Sequence, residues 1–341
     1  MLRVIVVGLG PIGIACARAV RADATQELVG LVDSDPAKIG KPLDDLGVEA
    51  ALPTEEQVSD TPVVVTDVAQ AVQRSAADVA IITTSSRFDR IAATLHECLA
   101  HKLAVVSSCE EMAWPSYGHP ELAQRVDEEA RLAGKAVLGT GVNPGFVMDS
   151  LAVMISSSVR RVTSVRCVRR VDAGRRRLPL QAKIGATMAE ADFRALAAQN
   201  KVGHVGLPES VALIAAGLGR KVEPGSVQVS IDPVIADRPI ESLVGLIQPG
   251  RVSGMHNIGR WTGDDLSIEL DLTMALGLAD PKDVIEIHGP VYVRAKISGG
   301  LPGDSATVAM LVNYVPVVAR ARPGLLTMLD VPPAGCRGRD V

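Results

Sequence analysis

Leu2-Arg3-Val4-Ile5-Val6-Val7-Gly8-Leu9-Gly10-Pro11-Ile12-Gly13-Ile14-Ala15 is the stretch that decides the fold. Residues 2–7 are apolar and β-branched apart from Arg3, the pattern of a strand buried on both faces of a parallel sheet. Gly8, Gly10 and Gly13 follow at G-x-G-x-x-G spacing, and Ile12, Ile14, Ala15, Ala19 and Val20 continue at helical intervals. Gly8 permits the tight turn, Gly10 the close approach of a pyrophosphate, and Gly13 the packing of helix on strand. The helix N-terminus adds free N–H groups and a positive dipole end, and Pro11 suits its first turn, where an N–H is dispensable. A second strand, Glu27 to Val32, ends at Asp33, about twenty residues after Gly13, placed to hold an adenosine ribose. Gly8, Gly10, Pro11, Ile12, Gly13 and Asp33 are therefore expected to bind a dinucleotide. Asp33 favours a free ribose 2′-hydroxyl, hence NAD, whereas Ser34, Lys38 and Lys41 offer contacts to a 2′-phosphate and keep NADP open.

From this start the chain continues as an α/β protein. Apolar strands are expected at Pro62 to Thr66, Ala77 to Thr84, Leu103 to Ser107 and Ala136 to Gly141, with helices between them at Val68 to Ser75, Arg87 to His101 and His119 to Gly134. That alternation predicts a Rossmann doubly wound parallel sheet over residues 1–150. Thr83, Thr84 and Ser85, where a strand ends, are expected to line the cofactor or to cap the following helix. Beyond Arg160 the polarity alternates: Val162 to Val171, Ser226 to Ile235, Leu266 to Met274 and Val284 to Ile297 read as strands, and Ala189 to Asn200 and Pro208 to Gly217 as helices. This predicts a second α+β domain, residues 151–303, on a largely antiparallel sheet. An apolar helix at about 304–321 is expected to return to the first domain.

The 341 residues carry a net charge of −4, which gives no basic field for nucleic acid or anionic membrane. An arginine-rich stretch from Arg160 to Arg177 reads as a solvated face or a subunit contact. Five cysteines without metal-like spacing fit free thiols in a reducing compartment, and no run is long enough to span a bilayer. A cytoplasmic protein without a metal site is expected. Aromatics number only eight, so the core must be aliphatic.

Ligands of open α/β sheets sit beyond the carboxyl ends of the strands. Two such ends here carry unusual polar groups. Glu110-Glu111 follows an apolar strand, and a carboxylate desolvated there by Met112, Trp114 and Phe146 can act as a general base or anchor an amine. Adjacent residues point in different directions, so one glutamate is expected in the site and one out, with Glu110 the favoured base. Asn143-Pro144-Gly145-Phe146 follows another strand, and Asn143 either offers its amide to substrate or caps the next helix. His204 sits in a glycine-flanked loop, while His96, His101 and His119 read as helix-surface residues. Lys183, Arg169 and Gln181 are candidates to meet a second charge on the substrate.

The segments Ser107-Ser108-Cys109-Glu110-Glu111-Met112, Gly139 to Asp149 and Gly203-His204-Val205-Gly206-Leu207 resemble the 2,4-diaminopentanoate dehydrogenase family, which includes native NAD(P)-dependent amine dehydrogenases. Gly299 to Thr307 and Asn313-Tyr314-Val315-Pro316 are similar as well, so the resemblance runs through nearly the whole chain. It implies a Rossmann domain joined to a dihydrodipicolinate-reductase-like domain, usually in a homodimer. It also implies oxidative deamination of a small amine or diamino acid and the reverse reductive amination of a carbonyl with ammonia. In that family a glutamate in the Glu110-Glu111 segment handles the amine; Asn143, Phe146, His204 and Trp114 are the expected substrate contacts, and Asn313 an added cofactor contact. Dihydrodipicolinate reductases proper carry adjacent histidines, which this chain lacks. Two other readings stay open: an imine or enamine reductase of that type, and a non-catalytic NAD(P)-sensing protein.

Overall fold

The computed structural model describes residues 1–46, 62–174, 178–199 and 201–336. Arg175 to Arg177, part of the arginine-rich stretch, lie outside them. The chain divides into two units: Met1–Gly145 with Pro302–Val341, and Phe146–Leu301. The first boundary lies at 145/146, five residues before the 150/151 expected from sequence.

The first unit runs β1 (Leu2–Val7), α1 (Pro11–Ala22), β2 (Gln26–Val32), β3 (Val64–Val65), α2 (Val68–Arg74), β4 (Val79–Ile82), α3 (Phe88–Ala100), β5 (Ala104–Ser107), α4 (Pro115–Gly118), α5 (Pro120–Ala133) and β6 (Ala136–Gly139). Its strands pair in parallel, and the sheet reads β6-β5-β4-β1-β2-β3 from one side to the other. The chain fills the β2–β3 side first and then crosses β1 to β4, so β1 and β4 flank the point where the winding reverses. Parallel strands need both faces covered. β4 and β5 accordingly show no exposed apolar side chain, and Ile5, Ala80, Ile82, Phe88, Ile91, Leu95 and Val105 share one core cluster.

The second unit contains α6 (Ser150–Ser156), β7 (Ser164–Asp172), α7 (Leu178–Lys183), α8 (Glu190–Ala198), α9 (Leu207–Gly217), β8 (Gln228–Ile235), β9 (Val252–Thr262), β10 (Ser267–Ala275), β11 (Lys282–His288) and β12 (Val293–Ser298). Its six strands are ordered β12-β11-β7-β10-β9-β8, antiparallel throughout except for the parallel pair β7–β10. Two differences from the sequence reading stand out. β9 was not foreseen, because Val252 to Met255 is buried without alternation and masks the period of two. The stretch read as one strand over Val284 to Ile297 is two, joined by a turn at Gly289.

Arg169 of β7 and Asp283 of β11, both almost fully buried, form an ion pair at 2.6 Å. Arg169 also donates to the Leu301 carbonyl at 2.8 Å, and Asp283 accepts the Leu301 N–H at 2.7 Å. The pair thus fixes the point where the chain leaves this unit. Asp283→Ala strands a buried guanidinium and should cost about 3–5 kcal/mol, measured as a lower urea midpoint.

After Leu301 the chain re-enters the first unit as α10 (Gly303–Val318) and β13 (Gly324–Leu326). α10 buries Leu311, Val312, Tyr314, Val315 and Val318 against α1, β4 and β5, and the Gln26 amide donates to the Val312 carbonyl at 3.3 Å. β13 pairs in parallel with β6 and adds a seventh strand. Three residues are too few to read as a strand from sequence. Among the described residues no helix is long and apolar enough to cross a membrane.

Candidate functional site

Five loops of the first unit emerge at the carboxyl edge of its parallel sheet. They are 8–13 after β1, 33–38 after β2, 83–87 after β4, 108–114 after β5 and 140–145 after β6. All the predicted site residues of this unit except Asn313 belong to them.

The β1 turn is held by short contacts. The Gly8 N–H donates to the Val32 carbonyl at 2.8 Å, and the Thr83 hydroxyl donates to the Gly8 carbonyl at 2.6 Å. Gly8 has φ +89°, open to glycine and strained for other residues. A Cβ on Gly13 would lie 1.8 Å from the Gly8 carbonyl oxygen, so only glycine lets α1 approach β1 this closely. A Cβ on Gly10 meets no atom within 4 Å. Gly10 is thus open on the side where the spacing expects a phosphate, while the N–H groups of Ile12 and Gly13 lie in the first helical turn, without partners inside α1. The turn fits a pyrophosphate.

Asp33 accepts the Leu9 N–H at 2.7 Å and the Asp35 N–H at 2.9 Å, and pairs with Lys38 at 3.0 Å. Partial burial pushes its carboxyl up, but the Asp35 N–H, Lys38 and the Leu9 N–H together hold it below the usual carboxylate range. It is therefore ionised at neutral pH. Lys38 lies within 3.6 Å of Asp35 as well, so its charge is shared between two carboxylates. Ser34 is exposed. Ionised Asp33 repels a 2′-phosphate, and Asp33→Ser should move the preference from NADH toward NADPH by about tenfold or more, read as the ratio of kcat/KM values.

Thr84 packs its methyl over Gly8, and Ser85 accepts the Arg87 N–H at 3.1 Å. The hydroxyls do not cap α3. Arg87 occupies the N-cap position, and the buried N–H of Phe88 is taken by Glu111.

That contact separates the two glutamates. Both lie in a 3₁₀ turn, Glu110–Ala113, directly beyond β5. Glu111 is only 5 % exposed, and its Oε2 accepts the Phe88 N–H at 2.8 Å and contacts His119 Nε2 at 3.1 Å. Its Oε1 takes Arg87 at 2.7 Å. The residue expected to point out is thus a buried tie, and His119, read as a helix-surface residue, is its partner rather than a solvated side chain. His119 also meets Phe88 edge-on, ring centroids 6.0 Å apart. Glu110 is half-buried with its Oε2 shielded from solvent. Beside it, burial pushes the Cys109 thiol up to about 12, which keeps it protonated. Trp114 is half-buried where the turn ends.

Asn143 and Pro144, joined by a cis peptide bond, follow β6, and the adjacent Val142 N–H donates to Thr307 of α10 at 3.4 Å. Asn143 does not cap α6; Asp149 does, accepting the Ser150 N–H at 2.6 Å. Asn313 is half-buried in α10.

Phe146 and His204 belong to the second unit. The His204 N–H donates to Asn257 at 3.0 Å, and Asn257 in turn donates to the Ser230 carbonyl at 3.0 Å, which pins the loop. Burial, with the Lys183 and Arg169 cations nearby, pushes the imidazole down to about 3, so it works as a neutral group. Of the three residues considered for a second substrate charge, Arg169 is engaged by Asp283. Gln181 is fully buried, donating to the Ala173 carbonyl at 3.1 Å and accepting the Leu243 N–H at 3.0 Å. Lys183 is exposed. Among the described residues no group of three or more His, Cys, Asp or Glu side chains is arranged to hold a metal ion.

A glycine turn at the winding reversal of a parallel sheet, answered by an aspartate after β2, defines the class of Rossmann dinucleotide-binding proteins. Residues 146–340 match the family model of the 2,4-diaminopentanoate dehydrogenase C-terminal domain. The chain is also 32 % identical to 2,4-diaminopentanoate dehydrogenase of Acetoanaerobium sticklandii, with 97 % of this chain and 93 % of that protein aligned. It belongs to the 2,4-diaminopentanoate dehydrogenase family. An amine dehydrogenase of Streptomyces virginiae is 26 % identical over 49 % of this chain and 45 % of its own length. Amine dehydrogenase from Mycobacterium smegmatis has a similar structure, TM-score 0.84 at 22 % identity over 98 % of this chain and 97 % of that one. This last similarity reports the fold.

Proposed function

We propose that the chain is an NAD(P)-dependent amine dehydrogenase, an oxidoreductase acting on CH–NH2 groups, in which Glu110 is the base. Family membership supports the class of activity. The observation that carries the choice of residue is the engagement of Glu111 by Arg87, Phe88 and His119, which commits that carboxylate to tying the turn to α3 and α5, while Glu110 begins the same turn, half-buried, directly beyond β5.

The chemistry asks three things of one carboxylate. An alkylammonium must lose a proton before hydride can leave its carbon, and Glu110 takes it. The iminium formed then needs a negative charge nearby, and the ionised form of Glu110's partly buried carboxyl after proton release supplies it. Water adding to the iminium must be deprotonated, and the same carboxylate serves once its proton has moved on. Bound at the β1 turn, a nicotinamide cofactor supplies the two-electron acceptor. In the reverse direction Glu110 holds the ammonium derived from ammonia and returns the proton. Thr83, Thr84, Ser85 and Asn313 are assigned to the cofactor, and Asn143, Trp114, Phe146 and His204 to the substrate, with His204 as a neutral hydrogen-bonding group. The chain is read as a cytoplasmic homodimer; light scattering on a size-exclusion column at twice the chain mass is the expected result.

A cofactor-coupled screen tests the reading. Small aliphatic aldehydes and ketones with ammonia, and diamino acids in the oxidative direction, are each run with NADH/NAD and NADPH/NADP. Turnover dependent on ammonia or on an amine is expected. Reduction of preformed cyclic imines without any use of ammonia would instead favour an imine reductase.

A further inference from the structure

Glu111 is one of the most heavily engaged carboxylates of the first unit, and nothing in the proposed chemistry uses it. We infer that Glu111, with Arg87 and His119, is a positioning device that fixes the orientation of Glu110; the inference rests on Glu110 being the base. The 3₁₀ turn Glu110–Ala113 is short, and its own hydrogen bonds cannot hold a side chain to the tolerance that proton transfer needs. It is clamped from both sides. On one side Glu111 reaches the start of α3 through Phe88 N–H at 2.8 Å and Arg87 at 2.7 Å, and its own N–H donates to the Ser86 carbonyl at 3.2 Å. His119, at the start of α5, closes the ring at 3.1 Å. On the other side Met112 lies against Gly139 of β6, where an added Cβ would come within 2.3 Å of the Met112 Cβ. β5 anchors the turn from below, since Ser107 donates to the Ile82 carbonyl at 3.2 Å and accepts the Cys109 N–H at 3.1 Å. Glu110 departs from a backbone fixed on either side of it, at residues 109, 111 and 112.

The charge balance fits the same role. The Arg87 guanidinium lies 2.7 Å from the Glu111 carboxylate, so the second negative charge next to Glu110 is paired locally.

The test is a double-mutant cycle in the full-length protein, with kcat, KM for the amine, cofactor Kd and thermal midpoint measured for each variant. Glu111→Gln keeps an acceptor for the Phe88 N–H but loses the ion pair, and Arg87→Ala, at a half-exposed position, removes one tie without touching the turn. Both should lower kcat about ten- to a hundredfold with cofactor Kd unchanged, as expected for misplacement of about 1 Å. In the Glu110→Gln background neither should lower kcat further, because they act only through Glu110. Normal kcat in both single variants, with only a lower thermal midpoint, overturns the inference. So does a full additional loss in the Glu110→Gln background. Normal turnover by Glu110→Gln alone is a different failure, that of the base assignment.

Discussion

Glu110→Gln should lower kcat for amine oxidation by a factor of about a hundred or more while leaving cofactor affinity intact. The substitution preserves shape and removes the proton acceptor, and the glycine turn is held by bonds to Val32, Asp33 and Thr83. The loss should persist at every pH, since no other carboxylate of the 3₁₀ turn is placed to substitute: Glu111 is tied to α3. Stopped-flow reduction of the cofactor measures the chemical step, and cofactor fluorescence the affinity. Wild-type turnover in this variant would move the base elsewhere, with His204 the next residue to replace, although an imidazole held near 3 is a weak base.

The second large effect concerns the glycine turn, where two glycines should fail in different ways. Gly10→Val should fold normally, because a Cβ there meets open space, and yet lose cofactor binding, because that space is where the pyrophosphate is expected. Gly13→Ala should destabilise the first unit itself, since the new Cβ would collide with the Gly8 carbonyl 1.8 Å away. Calorimetric titration with NADH and NADPH, paired with thermal denaturation, separates the two. A Gly10→Val protein that binds as tightly as wild type removes the basis for placing the cofactor at this turn.

Legibility in the sequence divided along physical lines. The parallel sheet was readable because its strands are buried on both faces and appear as continuous apolar runs, and because the glycine spacing, the β-branched run and the acid after β2 agree with one another. The second sheet was readable only where its strands alternate; β9, buried at its start, escaped. β13 is too short to carry a pattern. The position of Glu110 beyond a strand end was legible, but its distinction from Glu111 was not. That difference is made by Arg87 and Phe88, 24 and 23 residues before Glu111, and by His119, 8 residues after it, which meet Glu111 only after α3 and α5 have packed. For the same reason His119 looked like a surface residue and Arg169 like a substrate ligand. A charged side chain does not announce whether its partner is a ligand or another strand of its own fold.

Product accounting under single-enzyme conditions tests the central claim most directly. With a small amine and the preferred oxidised cofactor, reduced cofactor, carbonyl product and free ammonia are quantified from the same reaction. Equal amounts of all three are predicted, and omission of amine should abolish every one. Reduced cofactor accumulating without ammonia would contradict the account and assign the hydride to a donor other than a CH–NH2 carbon.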